Sequence, residues 1–150
     1  MKNLPDTVPD NPLLKLDKQL CFSVYALSRL ITKAYQPLLD KLDVTYPQYL
    51  VLLLLWEHDA LTVKQLGENL LLDSGTLTPL LRRMEQRQLL SRQRDPGDER
   101  SVVVTLQPAG RVLKLEAQEI PQRVAERLQM EPAEVDALRI QLCQLIARLT

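Results

Sequence analysis

Glycine supplies only four of the 150 residues and histidine only one, aromatic side chains make up 4%, and the formal charges cancel to zero. Each scarcity excludes something. With so little glycine there is no glycine-rich loop to cradle phosphates. With His58 alone, a histidine-based metal cluster or catalytic triad is out of reach. Zero net charge means that nucleic-acid binding must rest on local asymmetry rather than on bulk charge. The longest apolar run, Tyr49 to Trp56, is far too short to cross a bilayer, so no membrane partner is expected. The opening MKNLPDTVPDNP is polar and proline-rich and reads as a loose arm, not a signal peptide. Two cysteines without an export signal point to a reducing, cytoplasmic setting, where thiol chemistry is favoured over a structural disulfide.

What is present is one domain's worth of chain with ordinary apolar (45%) and charged (25%) fractions. The spacing of Leu16, Leu20, Val24, Leu27, Ile31, Ala34 and Leu38 predicts a first long helix from Leu14 to Leu42. Thr45-Tyr-Pro-Gln48 has the form of a capping box and opens a helix through Trp56 that is apolar all round, hence buried. Thr62-Val-Lys-Gln65 is a second capping box, opening a short helix to Leu70. Asp73 or Ser74 caps a further helix to about Arg87. Strands are expected over Leu89 to Arg94 and Arg100 to Leu106, joined by the turn Asp95-Pro-Gly-Asp98. Two amphipathic helices, divided near Gln129 to Pro132, fill the chain after Pro108. No internal repeat or low-complexity linker is visible.

The expected fold is therefore mainly α with a small β-wing: a winged helix-turn-helix over residues 45–106, flanked by helices at 1–44 and 107–150 within one domain, 1–150. Those flanking helices carry more apolar face than one small domain needs, so a homodimer joined through its N- and C-terminal helices is expected.

The stretch from 70 to 106 carries the functional signal. Leu77, Leu80, Leu81 and Met84 fall in one arc of a helix and must face the core. Ser74 and Thr76 stand at its start, and Thr78, Pro79, Arg82, Arg83 and Gln86 lie away from that arc. Hydroxyls and arginines placed so can reach phosphates and base edges in a major groove. Five arginines (Arg82, Arg83, Arg87, Arg92 and Arg94) face a single acid, Glu85, between Leu80 and Arg94, whereas the last third of the chain is rich in glutamate. An arginine-bearing helix face is usually only solvated. A preceding short capped helix and a hairpin with Arg92, Arg94 and Arg100 around its tip favour double-stranded DNA as the partner. Asp98-x-Arg100, followed by Leu106 and Gly110, resembles the wing signature of MarR-family repressors, with Gln107 where that family usually has threonine. The resemblance implies that Arg100 enters the minor groove at the wing tip and that Asp98 orients it.

Cys21 lies on the apolar side of the first helix, where spacing alone favours core filler. Tyr25 is one helical turn away. Tyr35 points the same way but lies about 21 Å along the axis, within reach of a cysteine only on an antiparallel partner helix. Phenolic hydroxyls donating to sulfur favour the thiolate that attacks peroxides, and Lys18 one turn earlier would assist electrostatically. LCFSVYALSR, TYPQYLVLLLLWEH and LDSGTLTPLLRRMEQ together resemble one MarR subgroup, the organic hydroperoxide resistance regulators (OhrR). That resemblance covers the chain from about Leu14 onward. It implies that Cys21 is the peroxide-reactive thiol, that Tyr35 and Tyr46 support it from the partner subunit and that Tyr25 lies close by. It also implies a repressor that binds operator DNA when reduced and lets go once an organic hydroperoxide has oxidised Cys21, with no cofactor and no metal. Two-cysteine members carry their resolving thiol where this chain has Ala125 to Gln129 and no cysteine. Cys143, a possible second thiol, sits on the final helix and reads as packing filler, so a mixed disulfide of Cys21 with a small cellular thiol is the expected product. Two other functions fit the residues less well: a MarR-type regulator released by an apolar ligand in the dimer crevice, and a thiol peroxidase with a basic face.

Overall fold

The computed structural model describes residues 10–150, so most of the expected N-terminal arm lies outside the described residues. The chain divides into two compact units, the first described from Asp10 to Lys33 and the second spanning Ala34–Thr150.

In the first unit, the Asn11 side chain accepts a hydrogen bond from the Leu13 amide at 3.0 Å and caps a 3-10 turn, Pro12–Leu14. A second 3-10 turn, Leu16–Lys18, follows. Helix α1 is Leu20–Leu42, so it starts at Leu20 rather than at the expected Leu14. The reason is local: Lys15 and Gln19 both hold extended backbone, and the Gln19 side chain donates to the Lys15 carbonyl at 3.2 Å. Lys18 therefore lies outside the helix, 3.6 Å from Asp17 in an ion pair, and does not stand one helical turn before Cys21. Leu13, Leu14, Leu16, Leu20 and Leu30 are all exposed in this unit.

In the second unit the C-terminal end of α1 buries Leu39 and Leu42. The remaining elements are α2 (Tyr46–Glu57), β1 (Ala60–Thr62), α3 (Val63–Leu70), α4 (Ser74–Gln86), β2 (Leu90–Asp95), β3 (Asp98–Leu106), α5 (Pro108–Glu116), α6 (Ile120–Leu128) and α7 (Pro132–Leu149). Both capping boxes form. Thr45 and Gln48 satisfy each other's backbone amides at the start of α2, as do Thr62 and Gln65 at the start of α3. Helix α2 is central, with Val51, Leu52 and Leu55 fully buried, although Leu53 reaches the surface. Strand β1 was not expected. Three residues are too few to show alternation, and the strand exists because Leu61 pairs with Val104 of β3. The sheet runs β1-β3-β2, antiparallel throughout, with Leu90 opposite Leu106 and a register irregularity between Arg94 and Asp95 beside the hairpin turn.

After Pro108 there are three helices, not the expected two. The extra break falls at Ala117–Glu119 because Pro121 cannot sit inside a continuous helix. Its ring would clash with the carbonyl four residues earlier, while in the first turn of α6 it costs nothing. No residue of α7 is buried, and Ile140, Ile146 and Leu149 are exposed.

Scarce glycine has a structural consequence. The ends of α1, α3, α4 and α6 are turned by Asp43, Leu71, Gln88 and Gln129 in left-handed backbone, and no described glycine has positive φ. Glycine is used instead where backbones meet. A Cβ on Gly110 would come within 2.2 Å of the Leu89 carbonyl oxygen and 2.8 Å of a Leu106 methyl, so α5 can seat on the base of the hairpin only without one.

Gly110→Ala is accordingly expected to destabilise the fold by about 1–3 kcal/mol, because the obstacle is backbone and cannot rotate away. Leu71→Gly should raise stability by about 0.5–1 kcal/mol, because it relieves a left-handed leucine whose side chain is largely in solvent. Urea denaturation of each variant measures both.

Candidate nucleic-acid interface and thiol site

Helix α4 divides as its sequence demands. Leu77, Leu80, Leu81 and Met84 are buried, while Ser74, Thr76, Thr78, Arg82, Arg83 and Gln86 are exposed. Asp73 caps it, accepting from the Thr76 amide at 2.9 Å and from the Thr76 hydroxyl at 3.3 Å. The hydrogen bond donated by the Thr76 amide holds the Asp73 carboxyl below its ordinary range. The Thr76 hydroxyl is thus already engaged by its own cap. Leu72 and Gly67 close the turn from α3, the Leu72 amide donating to the Gly67 carbonyl at 2.9 Å.

The arginines are not equivalent. Arg92 is taken up by Glu85: its Nη2 and Nε lie 2.8 and 3.1 Å from Oε2, and its amide donates to Oε1 at 2.9 Å. This fork joins β2 to α4 and spends the charge of Arg92 on fixing the wing, so its guanidinium is committed within the chain. The same side-chain bonds hold the Glu85 carboxyl below its usual range. Arg87 pairs with Asp43 at 2.9 Å. Arg94 donates to the Glu99 carbonyl at 2.6 Å across the hairpin, and Arg83 reaches back to the Pro79 carbonyl at 3.3 Å through Nε alone. Among the described residues no hydrogen bond or ion pair engages the guanidinium of Arg82 or Arg100. At the wing tip, Asp98 accepts from the Arg100 amide at 3.1 Å and Asp95 from the Gly97 amide at 2.8 Å. Asp98 therefore shapes the backbone from which Arg100 projects. The surface left for an anionic partner is Arg82 and Arg83 on α4 with Arg100 on the wing.

In the first unit, Cys21 is a free, exposed thiol on α1, and Arg29 lies 5.5 Å over the ring of Tyr25. Exposure within the chain removes the core-filler reading of Cys21. Cys143, on α7, is exposed as well, so it too fills no core of this chain. In the second unit, Tyr35 and Tyr46 pack with ring centroids 4.9 Å apart and planes tilted by 55°, and Tyr49 joins them at 5.9 and 6.4 Å. Burial, reinforced by Tyr46, raises the Tyr35 phenol above its ordinary value, and burial alone raises Tyr46. Tyr49 is pushed up to about 12 by burial and by its two neighbours. All three therefore remain O–H donors at any physiological pH. Tyr49 then meets Trp56 edge to face at 6.2 Å. Tyr49, Trp56 and Glu85 are contributors to these sites beyond those expected from the sequence. Tyr49 and Trp56 are seven residues apart on one helix, a spacing that puts them on one face and was legible. The Glu85–Arg92 pair joins two elements and left no local signal.

Residues 44–102 match the MarR family. The organic hydroperoxide resistance transcriptional regulator of Bacillus subtilis is 62% identical over 108 residues, which span 72% of this chain and 74% of that protein. The crystal structure of AbfR of Staphylococcus epidermidis superposes with a TM-score of 0.74 at 35% identity, over 89% of this chain and 92% of that one. Reduced AbfR bound to DNA matches with a TM-score of 0.72 at 36% identity, over 89% of this chain and 94% of that one. Overoxidised AbfR bound to DNA gives 0.73 at the same identity, over 90% and 95%.

Because its carboxyl is depressed in the fold, Glu85 stabilises above the ordinary carboxyl range, and that contribution is lost as pH falls through its folded value. Glu85→Gln should therefore cost about 0.5–1 kcal/mol at pH 7, a figure lowered for solvent screening because the pair is partly exposed. The difference from wild type should shrink as pH falls below the ordinary carboxyl range and Glu85 takes up its proton in the fold. Thermal unfolding across that range measures it.

Proposed function

The chain belongs to the MarR family of winged-helix regulators, and we propose that it is a repressor that grips operator DNA when reduced and lets go when an organic hydroperoxide oxidises Cys21. The observation that carries this reading is an exposed, unpaired Cys21 in a chain 62% identical to an organic hydroperoxide resistance regulator. In this proposal the cytoplasmic protein works as a homodimer. Residues 45–106 hold the DNA, and residues 1–44 and 107–150 join the subunits. The exposed leucines of the first unit and the unburied α7 support an apolar partner of the same chain. Arg82 and Arg83 lie along the major groove, with Ser74, Thr78 and Gln86 beside them, and Arg100 reaches the minor groove from the wing.

Tyr35 and Tyr46 of one subunit donate their hydroxyls to the Cys21 thiolate of the other, and Tyr25 lies close by. Phenols held protonated and packed against each other suit that role. The thiolate attacks one peroxide oxygen. An S–O bond forms as the O–O bond breaks, sulfur gives up two electrons, and the alkoxide takes a proton and leaves as the alcohol. The sulfenic acid then condenses with a small cellular thiol, forming a mixed disulfide and releasing water. The bulk of that adduct displaces the tyrosines and alters the spacing of the two α4 helices, which must match half-sites one helical turn apart. AbfR bound to DNA in an overoxidised form supports assigning release to the bulkier adduct rather than to oxygen on sulfur alone. Cys143 takes no part.

Cys21→Ser should bind operator DNA within about threefold of wild type and stay bound in hydroperoxide. Release of that variant by hydroperoxide would end the sensing reading. Arg82→Ala and Arg100→Ala should each weaken operator binding by about 1–3 kcal/mol, roughly 5- to 150-fold. Fluorescence anisotropy with labelled operator reads all three.

A further inference from the structure

Trp56, the sole tryptophan of the chain, stands between two groups that the proposed switch must connect. On one side its ring meets Tyr49 edge to face at 6.2 Å, and Tyr49 packs against both Tyr35 and Tyr46. On the other side its indole N–H donates to the Gly110 carbonyl at 2.9 Å. The Lys114 ammonium donates back to the Trp56 carbonyl at 3.1 Å, so α5 is fastened to the end of α2 at two points. Gly110 is also where α5 touches the base of the hairpin, against the Leu89 carbonyl. That carbonyl accepts from the Gln107 amide at 3.0 Å, and the Leu89 amide donates to the Met84 carbonyl at 3.1 Å, closing the end of α4. From the tyrosine cluster to the recognition helix there is thus a series of packed rings, hydrogen bonds and one close backbone approach, Gly110 on Leu89, within one unit.

We propose that Trp56 is a positioning residue that couples the tyrosine cluster to α4 and the wing through its hold on Gly110. The inference rests on the peroxide-sensor reading. Interiors packed to crystal density pass on displacements rather than absorb them. When the tyrosines are displaced, Tyr49 moves the indole, and the indole carries α5 and the Leu89 junction with it. Phenylalanine at position 56 keeps a ring against Tyr49 but has no N–H to hold Gly110, so it separates the coupling from the packing.

The test compares wild type, Cys21→Ser and Trp56→Phe, each treated with cumene hydroperoxide and free cysteine. Operator affinity and intact mass are read on each, and tryptophan emission on the two that keep Trp56. Trp56→Phe should form the Cys21 adduct at the wild-type rate, while its ratio of reduced to oxidised operator affinity falls at least fivefold. In wild type, Trp56 emission should shift in step with DNA release, and in Cys21→Ser it should not shift. A wild-type affinity ratio in Trp56→Phe overturns the coupling role, as does release of wild type from DNA with unchanged emission. If Trp56→Phe does not fold, the wild-type emission decides alone. Release of Cys21→Ser by peroxide instead removes the sensor reading, and this inference with it.

Discussion

Burial of Leu77, Leu80, Leu81 and Met84 fixes what this chain can present to DNA. Once those four side chains are in the core, the helical period leaves Thr78, Arg82, Arg83 and Gln86 no place but the outer face. The same burial sets the end of α4 against Leu89, from which both the hairpin and the seat of α5 take their position. Recognition surface, wing and C-terminal helices therefore share one apolar anchor.

Charge is then distributed over that frame with little to spare. A chain with as many acids as bases has no general attraction for nucleic acid, and several of its arginines are consumed internally. Glu85 takes Arg92, Asp43 takes Arg87 and the Glu99 carbonyl takes Arg94. What remains is a narrow cationic line along α4 and at the wing tip. Binding through so few cations is sensitive to their spacing, because a small displacement cannot be made good by a wider basic surface. A dimer built this way is well suited to being switched by geometry.

Much of this was legible in the sequence, and the misses have physical causes. The capping boxes at Thr45 and Thr62, the buried arc of α4 and the Asp95–Asp98 turn are local chemistry, and they form as read. Strand β1 is created by its partner β3, so three residues could not announce it. The late start of α1 depends on how Asn11 and Gln19 cap short turns in competition with the helix. The break before α6 follows from Pro121, but the apolar stripe runs across it and masks it in the sequence. In the site, the division of the arginines between bracing and presentation depends on contacts such as Glu85–Arg92, which no spacing rule reveals. In the proposed site the surroundings of Cys21 belong to two chains together, which one chain's spacing does not express.

In the proposed mechanism one chemical event, at one sulfur, causes the loss of grip. The most direct test is to load the dimer on labelled operator, add organic hydroperoxide with a small thiol, separate bound from released protein and weigh each fraction intact. Released protein should carry a single small-thiol adduct on Cys21, and bound protein should lack it. Released protein with an unmodified Cys21, or adduct-bearing protein that stays on the operator with undiminished affinity, would contradict the account.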